Sequence, residues 1–572
     1  MKLKRLLCML LSILMIVTCA GGCGNGAGGG DNSDKSELRV GNLLSGFGEK
    51  WLLSLKTEFE EMYKNHEFEE GKRGVVVSID NQDQAFSETA LLGNMDRYEN
   101  DIYYVNDIYN QKSFITNGLS YDTTAWVTEK VYDENGDLAS QTGLKATTSI
   151  IDTMYDGWAD KFNFGTKENP AFYGMPWRLA FGGIIYDADL FATKGFFLNK
   201  DGDFELGLFL NDDDPAHLHY DPTRNATNAG KGPDGLPGTS DDGMPSTWGE
   251  FKLLMSEMFG SNVTPFIWSG SLTYQRKSAF QQIIANYEGY EDFLLNFTFD
   301  GEDSDHPEWG EINENNAYLL RGQEGKKAAI QAFYDIVTNP NYYTASSFGG
   351  SQHKEAEKEY IESITTSNPI AMLMEGGWWE QESREYADAL GDFNPNLGYG
   401  KRNFKLLPIP KFVGVNGIKN QENTERVLYG TESMTLEMVW AKSQKLDIVK
   451  EWLQFVHSRD GLAIFVRDTS SFRPYNFTAK DKYFNEFTSF TKSIYTYIDE
   501  GARLVSDLNF SKIRQDNANE FVEFMSKFRG TNGTEYFEVA SAFRANPTWT
   551  VEGVFEMFKN TIFTESSWNY TK

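Results

Sequence analysis

The first part of the chain alternates short apolar runs with stretches of helical periodicity. Residues 37–40, 75–79 and 101–105 are short runs rich in β-formers. Residues 51–63 repeat apolar side chains every three or four positions, which predicts an amphipathic helix, and a second helical stretch is expected near 87–97. Strand, helix, strand, helix, strand predicts an α/β lobe with a largely parallel sheet.

In such a sheet, ligands bind beyond the carboxyl ends of the strands. The strand ends here lead into the glycine-containing loop 42–50 and into Asn106 and Asp107. We therefore expect the ligand site near these two segments.

The segment 173–191, YGMPWRLAFGGIIYDADLF, has the most distinctive pattern of the chain. A turn and the pair Trp177–Arg178 precede two glycines, and the apolar run 184–186 then ends at Asp187. This order predicts a buried strand that leads into a helix. Trp177 is open to two interpretations, a cleft side chain or a structural tryptophan of the core.

Two later strands also end in aromatic residues. Residues 265–268 predict a strand that ends at Trp268, and a serine–glycine turn separates it from Tyr274 at the start of a helix. Residues 370–374 predict a buried strand that is followed by Glu375, two glycines and the pair Trp378–Trp379. Two tryptophans at one strand-to-helix junction are unlikely to be buried together, so one is expected to face a ligand.

Helix signals mark the second half of the chain. Thr247 and Glu250 have the spacing of a capping box, which predicts a helix start. Residues 406–411, LLPIPK, are expected to be extended because of their prolines. Residues 446–457 predict an amphipathic helix, and the rest of the chain reads as mostly helical.

An acidic insertion occupies residues 199–243, which are crowded with aspartates, glycines and prolines. Oxygen ligands on such a turn-rich segment are suited to calcium, and Asp234, Asp241 and Asp242 are the candidates, although the spacing is not that of an EF-hand. The alternative is a solvated acidic insertion without metal. A zinc site at His217 and His219 is a weaker candidate.

Composition narrows the function classes. The formal net charge of -30 disfavours nucleic acid as a partner. The only cysteines are Cys8, Cys19 and Cys23, so the folded part of the chain has no cysteine chemistry. Aromatic residues make up 15% of the chain, and such side chains often line ligand sites.

The amino terminus predicts export. Residues 1–22 combine a positive start with an apolar run, 6–18, that is too short for an ordinary membrane span. The small residues before Cys23 resemble a bacterial lipobox, which implies cleavage before Cys23 and a lipid on its thiol. Residues 23–37 then predict a flexible tether. The expected location is the outer face of the cytoplasmic membrane, at the cell surface or in the periplasm.

Taken in order, these motifs resemble the extracellular solute-binding proteins of ATP-driven importers, in the family of maltose-binding protein. MPWRLAFGGIIYDADLF (175–191), PSTWGEF (245–251), IAMLMEGGWW (370–379) and LLPIPKF (406–412) look like the family's motifs. The resemblance implies an α/β fold of two hinged lobes, the type II periplasmic-binding-protein fold. It implies an amino-terminal lobe of 38–180 and 407–470, and a carboxyl-terminal lobe of 181–406 and 471–572.

The resemblance also implies a function. The expected ligand is an oligosaccharide, held between the lobes of a monomer and delivered to the permease of an importer, without catalysis or a required cofactor. Sugar rings pack on aromatic rings, and their hydroxyls need polar partners. The ligand-binding candidates are Trp378, Trp379, Trp177, Arg178, Trp268, Tyr274, Asn106, Asp107, Phe47, Glu49, Glu375 and Arg473.

Three other classes stay open. A peptide-binding transport protein also uses aromatic residues, and Arg178 or Arg473 would pair with a peptide terminus. A surface glycoside hydrolase needs two carboxylates at a defined separation, for which Glu375 is a candidate. A wall-attached polysaccharide adhesin is the third. No serine-hydrolase, zinc-protease or phosphate-loop motif is present.

Overall fold

The computed structural model describes residues 34–82, 99–105, 111–213, 219–299, 301–302, 304, 306–313, 315–316, 318–431, 435–506 and 526–561. The strands, numbered β1 to β13 in chain order, are Ser36–Leu43, Val75–Gln82, Ile102–Val105, Ala180–Phe181, Gly183–Asp187, Thr264–Trp268, Ile370–Glu375, Phe404–Leu406, Val427–Thr431, Leu436–Val439, Arg503–Ser506, Phe528–Arg529 and Glu535–Tyr536.

The α-helices of these residues are Lys50–Met62, Gln111–Thr116, Thr124–Thr128, Ala139–Thr142, Trp158–Phe162, Ala188–Lys194, Trp248–Gly260, Tyr274–Glu288, Tyr290–Thr298, Tyr318–Arg321, Glu324–Val337, His353–Ser363, Trp379–Glu382, Arg384–Phe393, Leu446–Val456, Arg459–Thr469, Asp481–Phe484, Ser489–Asp499, Val539–Ala545 and Val551–Lys559. Short 3₁₀ helices cover Ser45–Phe47, Ile151–Thr153, Ala226–Asn228, Pro307–Trp309, Ala345–Phe348 and Pro395–Leu397.

The first sheet has the strand order β10-β3-β1-β2. β1 pairs in parallel with both β2 and β3, and only β10 runs antiparallel. The Lys50–Met62 helix connects β1 to β2 and buries Trp51, Leu52, Leu55 and Phe59 on its apolar face. The predicted α/β lobe is therefore confirmed, while the helix expected near 87–97 lies outside the described residues.

The second sheet has the order β6-β7-β5-β8. Every residue of β5 and β7 is buried, as expected for strands that are covered on both faces. Because side chains alternate along a strand, Ile185 and Leu373 pack on one face, whereas Ile184 and Met372 pack on the other. The strand and helix predicted for 173–191 are confirmed as β5 and the Ala188–Lys194 helix, which Asp187 caps.

Gly182 separates β4 from β5. β4 belongs to a third sheet, β11-β9-β4, so the chain enters the second sheet at this residue. A Cβ atom at this residue would lie 2.6 Å from the carbonyl oxygen of Glu375. Only glycine allows β5 to start so close to the end of β7, so the Gly-Gly pair fixes this crossing point.

Two hydrophobic cores hold the molecule together. The first core surrounds the first sheet and continues onto one face of the second, where the Ser489–Asp499 helix covers β8. The second core covers the other face of the second sheet.

The chain returns to the first sheet at β10, and the lobe boundary expected at residue 407 stays a prediction. Leu407, Phe412 and Tyr429 belong to the second core, and β9 pairs with β4 and β11 in a third sheet. β9 contacts both cores, because Leu428 belongs to the first and Tyr429 to the second, and β10 joins the first core from its first residue, Leu436.

Candidate functional site

Four of the predicted ligand residues meet where the carboxyl ends of β1, β6 and β7 converge. Phe47, Ala180 and Trp378 form a small buried cluster, and Tyr274 packs against it. The rings of Tyr274 and Trp378 stack with their centroids 6.0 Å apart and their planes 25° apart. The guanidinium carbon of Arg178 lies 4.3 Å from the centroid of the Phe47 ring, a cation–π contact. We call Phe47, Arg178, Tyr274 and Trp378 the cleft cluster.

The loop after β1 brings Phe47 to this cluster. Its 3₁₀ turn, Ser45–Phe47, packs against the Trp379–Glu382 helix, which follows β7 in the second sheet. A Cβ atom on Gly46 would lie 2.7 Å from Oε1 of Glu382, so the absence of a side chain at Gly46 permits this close approach. The loop follows β1 of the first sheet, and the helix follows β7 of the second sheet. The cleft cluster therefore lies where segments from these two sheets are in contact.

Trp378 and Trp379 have different surroundings. Trp378 is 8% exposed and stacks on Tyr274, within the cleft cluster. Trp379 is 1% exposed, and its ring packs against Tyr360, Phe404 and Phe490 in the first core. Both tryptophans are buried, contrary to the expectation from the sequence, because Trp378 is covered by the cleft cluster itself. Stacking of Trp378 on a ligand stays a prediction.

Trp177 is part of the first core. Its indole Nε1 donates a hydrogen bond to the carbonyl oxygen of Val105 at 3.0 Å, and its ring stacks on Trp51 with centroids 5.5 Å apart. Trp177 contacts Phe47 edge to face at 6.2 Å, so it supports the cleft cluster from behind. Of the two interpretations of Trp177, the core tryptophan is the one that the structure shows.

Arg473 is also buried in the first core. Its Nη1 lies 3.4 Å from Oε2 of Glu437, and its guanidinium carbon lies 4.9 Å from the centroid of the Phe465 ring. Burial raises the pKa of Glu437 to about 7, while the charge of Arg473 acts in the opposite direction. Arg473 is thus committed to a buried ion pair rather than placed in the cleft cluster.

Glu375 ends β7 beneath Trp378. Its Oε1 accepts a hydrogen bond from the backbone N–H of Gly376 at 2.8 Å. Burial raises the pKa of Glu375 to about 8, and the nearby carboxylate of Glu382 adds to the rise. A second buried carboxyl, Glu357, also has a raised pKa, mainly through burial and secondly through the charge of Glu375.

The remaining candidates lie elsewhere. Trp268 is buried against Tyr343 and Phe348 in the second core. Glu49 is exposed and accepts a hydrogen bond from Nδ2 of Asn81. Asn106 and Asp107 lie outside the described residues, as do Cys23, the predicted signal peptide and most of the predicted tether. The tether is shorter than expected, because β1 already begins at Ser36.

The carboxylates proposed for calcium surround an arginine. Oδ2 of Asp241 lies 2.9 Å from Nη2 of Arg426, and Oδ2 of Asp234 lies 3.6 Å from the same atom. Oδ2 of Asp242 accepts a hydrogen bond from the backbone N–H of Gly238 at 2.8 Å. Within the described ranges, no group of three or more histidine, cysteine, aspartate or glutamate side chains is placed to hold a metal ion. Calcium binding stays a prediction.

Sequence reasoning missed two polar residues of the site. Nδ2 of Asn42 donates to Oδ1 of Asn81 at 2.8 Å and reaches the carbonyl oxygen of Gly48 at 3.4 Å, and so holds the base of the first loop. Gln275 hydrogen-bonds Glu375 from the helix that begins at Tyr274. A buried asparagine inside an apolar strand was the available signal for Asn42; nothing in the local pattern marks Gln275.

Comparison with known proteins identifies the architecture. The sequence matches no protein-family model and no curated protein. The apo form of RafE from Streptococcus pneumoniae superposes with a TM-score of 0.52 at 12% identity, over 93% of this chain and 98% of RafE. The chain has the two-lobed fold of solute-binding proteins.

Two further structures with this fold are similar over nearly the same extent. The SBP RafE in complex with raffinose has a TM-score of 0.49 at 12% identity, over 92% of this chain and 99% of that one. A protein from work on xylan utilisation by Caldanaerobius polysaccharolyticus has a TM-score of 0.49 at 13% identity, over 91% and 99%. At these identities the likeness concerns the fold. No helix in the described part of this chain is long and apolar enough to cross a membrane.

Proposed function

We propose that this protein is the substrate-binding component of an ATP-driven importer and that it captures an oligosaccharide between its two lobes. The observation that carries the proposal is the cleft cluster. Aromatic rings that follow strands of two different sheets meet at the carboxyl ends of those strands. Phe47 follows the first sheet's β1, and Tyr274 and Trp378 follow the second sheet's β6 and β7. Ligands of open α/β sheets bind at these strand ends.

The chemistry of the cluster suits a sugar better than a charged ligand. Flat rings match the C–H faces of pyranoses, and the stacked pair of Tyr274 and Trp378 supplies one such surface. The guanidinium of Arg178 supplies hydrogen-bond donors beside it. A largely aromatic site with few polar groups is typical of small-ligand pockets.

The mechanism that follows is capture without covalent chemistry. A ligand that contacts Phe47 on one side and Trp378 on the other interacts best with the closed state, and it therefore shifts the lobes toward closure. The closed complex then docks on the permease. Anchoring through a lipid on Cys23 is part of the same proposal and keeps the protein at the outer face of the membrane.

Peptide binding is the second candidate function. It would require Arg178 or Arg473, both of which are buried, to pair with a peptide terminus. Arg473 is paired with Glu437, which removes it as a partner for a peptide terminus. This leaves Arg178, which contacts Phe47 in the cleft cluster.

Thermal unfolding of the chain without residues 1–22 tests the proposal against a panel of neutral oligosaccharides, monosaccharides and short peptides. A ligand that binds only the folded state at one hundred times its Kd raises the free energy of unfolding by about 2.7 kcal/mol. We expect a rise with one class of oligosaccharide and recovery of that sugar intact. A rise with peptides alone supports the second candidate, and breakdown of the sugar contradicts a binding protein.

A further inference from the structure

The acidic insertion forms one wall of a pocket that the proposed transport function does not use. The cavity measures about 460 Å³ and lies between the insertion, the edge strand β8 and the Ser489–Asp499 helix. This volume is within the usual range for small-molecule sites. Phe209 and Tyr220 of the insertion and Phe484 give it apolar walls.

The pocket is remote from the cleft cluster. β5 pairs Gly183 with Glu375 at one end and Asp187 with Phe404 at the other. Four residue steps of a strand span about 14 Å, so the two ends of β5 separate the pocket from the floor of the cleft. A ligand in the pocket would leave the cleft free.

Two lysines line the pocket without a carboxylate partner. Nζ of Lys405 donates to the hydroxyl of Tyr220 at 3.2 Å, and Nζ of Lys492 donates to the carbonyl oxygen of Asn485 at 3.4 Å. Within the described residues, neither ammonium has a carboxylate oxygen within 4.0 Å. Burial lowers the pKa of Lys492, which indicates that its charge has lost part of its hydration.

Two acidic side chains stand at the rim, and each has at least one partner, although Oδ1 of Asp242 is buried without a hydrogen bond. Glu500 pairs with Nη1 of Arg426 at 2.8 Å and accepts a hydrogen bond from Oγ of Ser240 at 2.6 Å. Oδ2 of Asp242 accepts from the backbone N–H of Gly238 at 2.8 Å. The two ammonium groups instead lie over aromatic rings of the pocket, Nζ of Lys405 4.3 Å from the Tyr220 centroid and Nζ of Lys492 5.5 Å from the Phe484 centroid.

Hydroxyl and amide groups complete the lining. Oγ of Ser489 donates a hydrogen bond to Oδ1 of Asn403 at 2.6 Å. Oγ of Ser493 accepts a hydrogen bond from the backbone N–H of Leu406. Aromatic walls, several hydroxyls and two cations together fit one polar ring that carries an anionic group.

We propose that this pocket binds an acidic monosaccharide, a single sugar ring with a carboxylate or phosphate group, as a second ligand independent of the cleft. Lys405 and Lys492 would bind the anionic group. The aromatic side chains of the insertion would cover one face of the ring. The insertion therefore builds a second site rather than serving only as a solvated acidic loop.

Isothermal titration calorimetry of the chain without residues 1–22, in a phosphate-free buffer, tests this proposal. The probes are glucuronate, glucose 6-phosphate, neutral glucose and inorganic phosphate. We expect glucuronate or glucose 6-phosphate to bind at least about tenfold more tightly than glucose or inorganic phosphate. Which of the two binds more tightly decides between a sugar acid and a sugar phosphate.

Three variants locate the binding. Lys492→Gln and Lys405→Gln, tested separately so that a folding defect in one leaves the other informative, are each expected to weaken binding by about 10- to 100-fold. Lys401→Gln, an exposed lysine four residues before Lys405, is the matched control and should leave affinity unchanged.

Trp378→Ala separates this site from the cleft, and it should also leave the binding of acidic monosaccharides unchanged. The proposal is overturned if no acidic sugar binds at millimolar concentration or if glucose binds as tightly as the acidic sugars. It is also overturned if Trp378→Ala removes the binding. Failure to find any oligosaccharide for the cleft would not affect this result, because the probes differ.

Discussion

At the residue scale, packing partners rather than burial separate the cleft cluster from the other predicted ligand residues. Four aromatic or cationic candidates, Phe47, Arg178, Tyr274 and Trp378, gather at the strand ends. Trp268 and Trp379 have the same composition signals and nevertheless complete hydrophobic cores. An aromatic side chain at a strand end is therefore a ligand candidate only when its ring faces the junction of the lobes.

The tryptophan pair gives a matched test at this scale. We predict that Trp378→Ala weakens ligand binding by tenfold or more, because stacking on a buried aromatic anchor contributes at least about 1–2 kcal/mol. Because Trp378 is only 8% exposed, the change should also lower the free energy of unfolding, so binding is measured where both variants are folded. Trp379→Ala should lower the free energy of unfolding by about 3–5 kcal/mol, since it opens a cavity in the first core. Calorimetric titration and urea unfolding of both variants check this, and equal effects on binding would contradict the assignment.

Glu375 gives a test through pH. Its folded pKa of about 8 is above the unfolded value of 4.5, so its contribution to stability is present below pH 4.5 and is lost as pH rises through 8. We predict that Glu375→Gln is more stable than the wild type by only about 1 kcal/mol at pH 5.5, one pH unit above the unfolded pKa. At pH 8.5 it should be more stable than the wild type by a few kcal/mol at most.

Urea unfolding at the two pH values measures the difference between wild type and Glu375→Gln. Glu385→Gln, at an exposed glutamate, is the matched control. The same gain at both pH values would show that the carboxyl of Glu375 is not protonated in the folded state.

At the element scale, the helices and strands that local signals predicted within the described residues are present, while many other elements had no such signal. The capping box predicted at Thr247 is present: Oγ1 of Thr247 accepts the N–H of Glu250 at 3.2 Å, and the Glu250 side chain accepts the N–H of Thr247 at 2.9 Å. The Trp248–Gly260 helix begins where this signal indicates.

The helix cap supports a quantitative prediction. Thr247→Ala removes the acceptor for the Glu250 N–H and should lower the free energy of unfolding by about 1 kcal/mol. Thr273, which precedes the Tyr274–Glu288 helix, makes no side-chain capping bond. Thr273→Ala is therefore the control, with a change expected below about 0.5 kcal/mol. A comparable loss in both variants would mean that the cap of Thr247 contributes nothing specific.

Long-range pairing is what the sequence could not supply. The strands of the first sheet and the 173–191 segment follow from periods of two and 3.6 residues, which are local properties. The core position of Trp177 depends on Val105 and Trp51, and the commitment of Arg473 depends on Glu437. The pairing of β9 with β4 joins residues about 250 positions apart and has no local signature.

At the scale of the whole molecule, buried acids dominate the electrostatics. Burial raises the pKa of Asp241 to about 6 and those of Glu288, Glu380 and Glu437 to about 7. Each of these groups holds its proton more tightly in the folded than in the unfolded state, so each loses stability as pH rises through its folded pKa. Glu69, whose pKa is lowered to about 2 mainly by its hydrogen bond to Lys445, acts in the opposite sense, below pH 4.5.

Because the acids with raised pKa values outnumber those like Glu69, we predict that the protein is more stable at mildly acidic than at alkaline pH. We expect the urea midpoint of the wild type to fall steadily from pH 5.5 to pH 8.5. The lower limit keeps the protein above its sequence pI of about 4.7, where it is least soluble. A midpoint that rises over this range would contradict the burial of these acids in the folded state.

Oligosaccharide capture between the lobes is the central claim, and one titration tests it most directly. The neutral oligosaccharide that most raises the unfolding temperature is titrated into wild type and into Trp378→Ala by calorimetry, and the sugar is then recovered. The account predicts saturable binding by the wild type, at least tenfold weaker binding by the variant, and an unchanged sugar. Equal binding by both proteins, or a hydrolysed sugar, would contradict it.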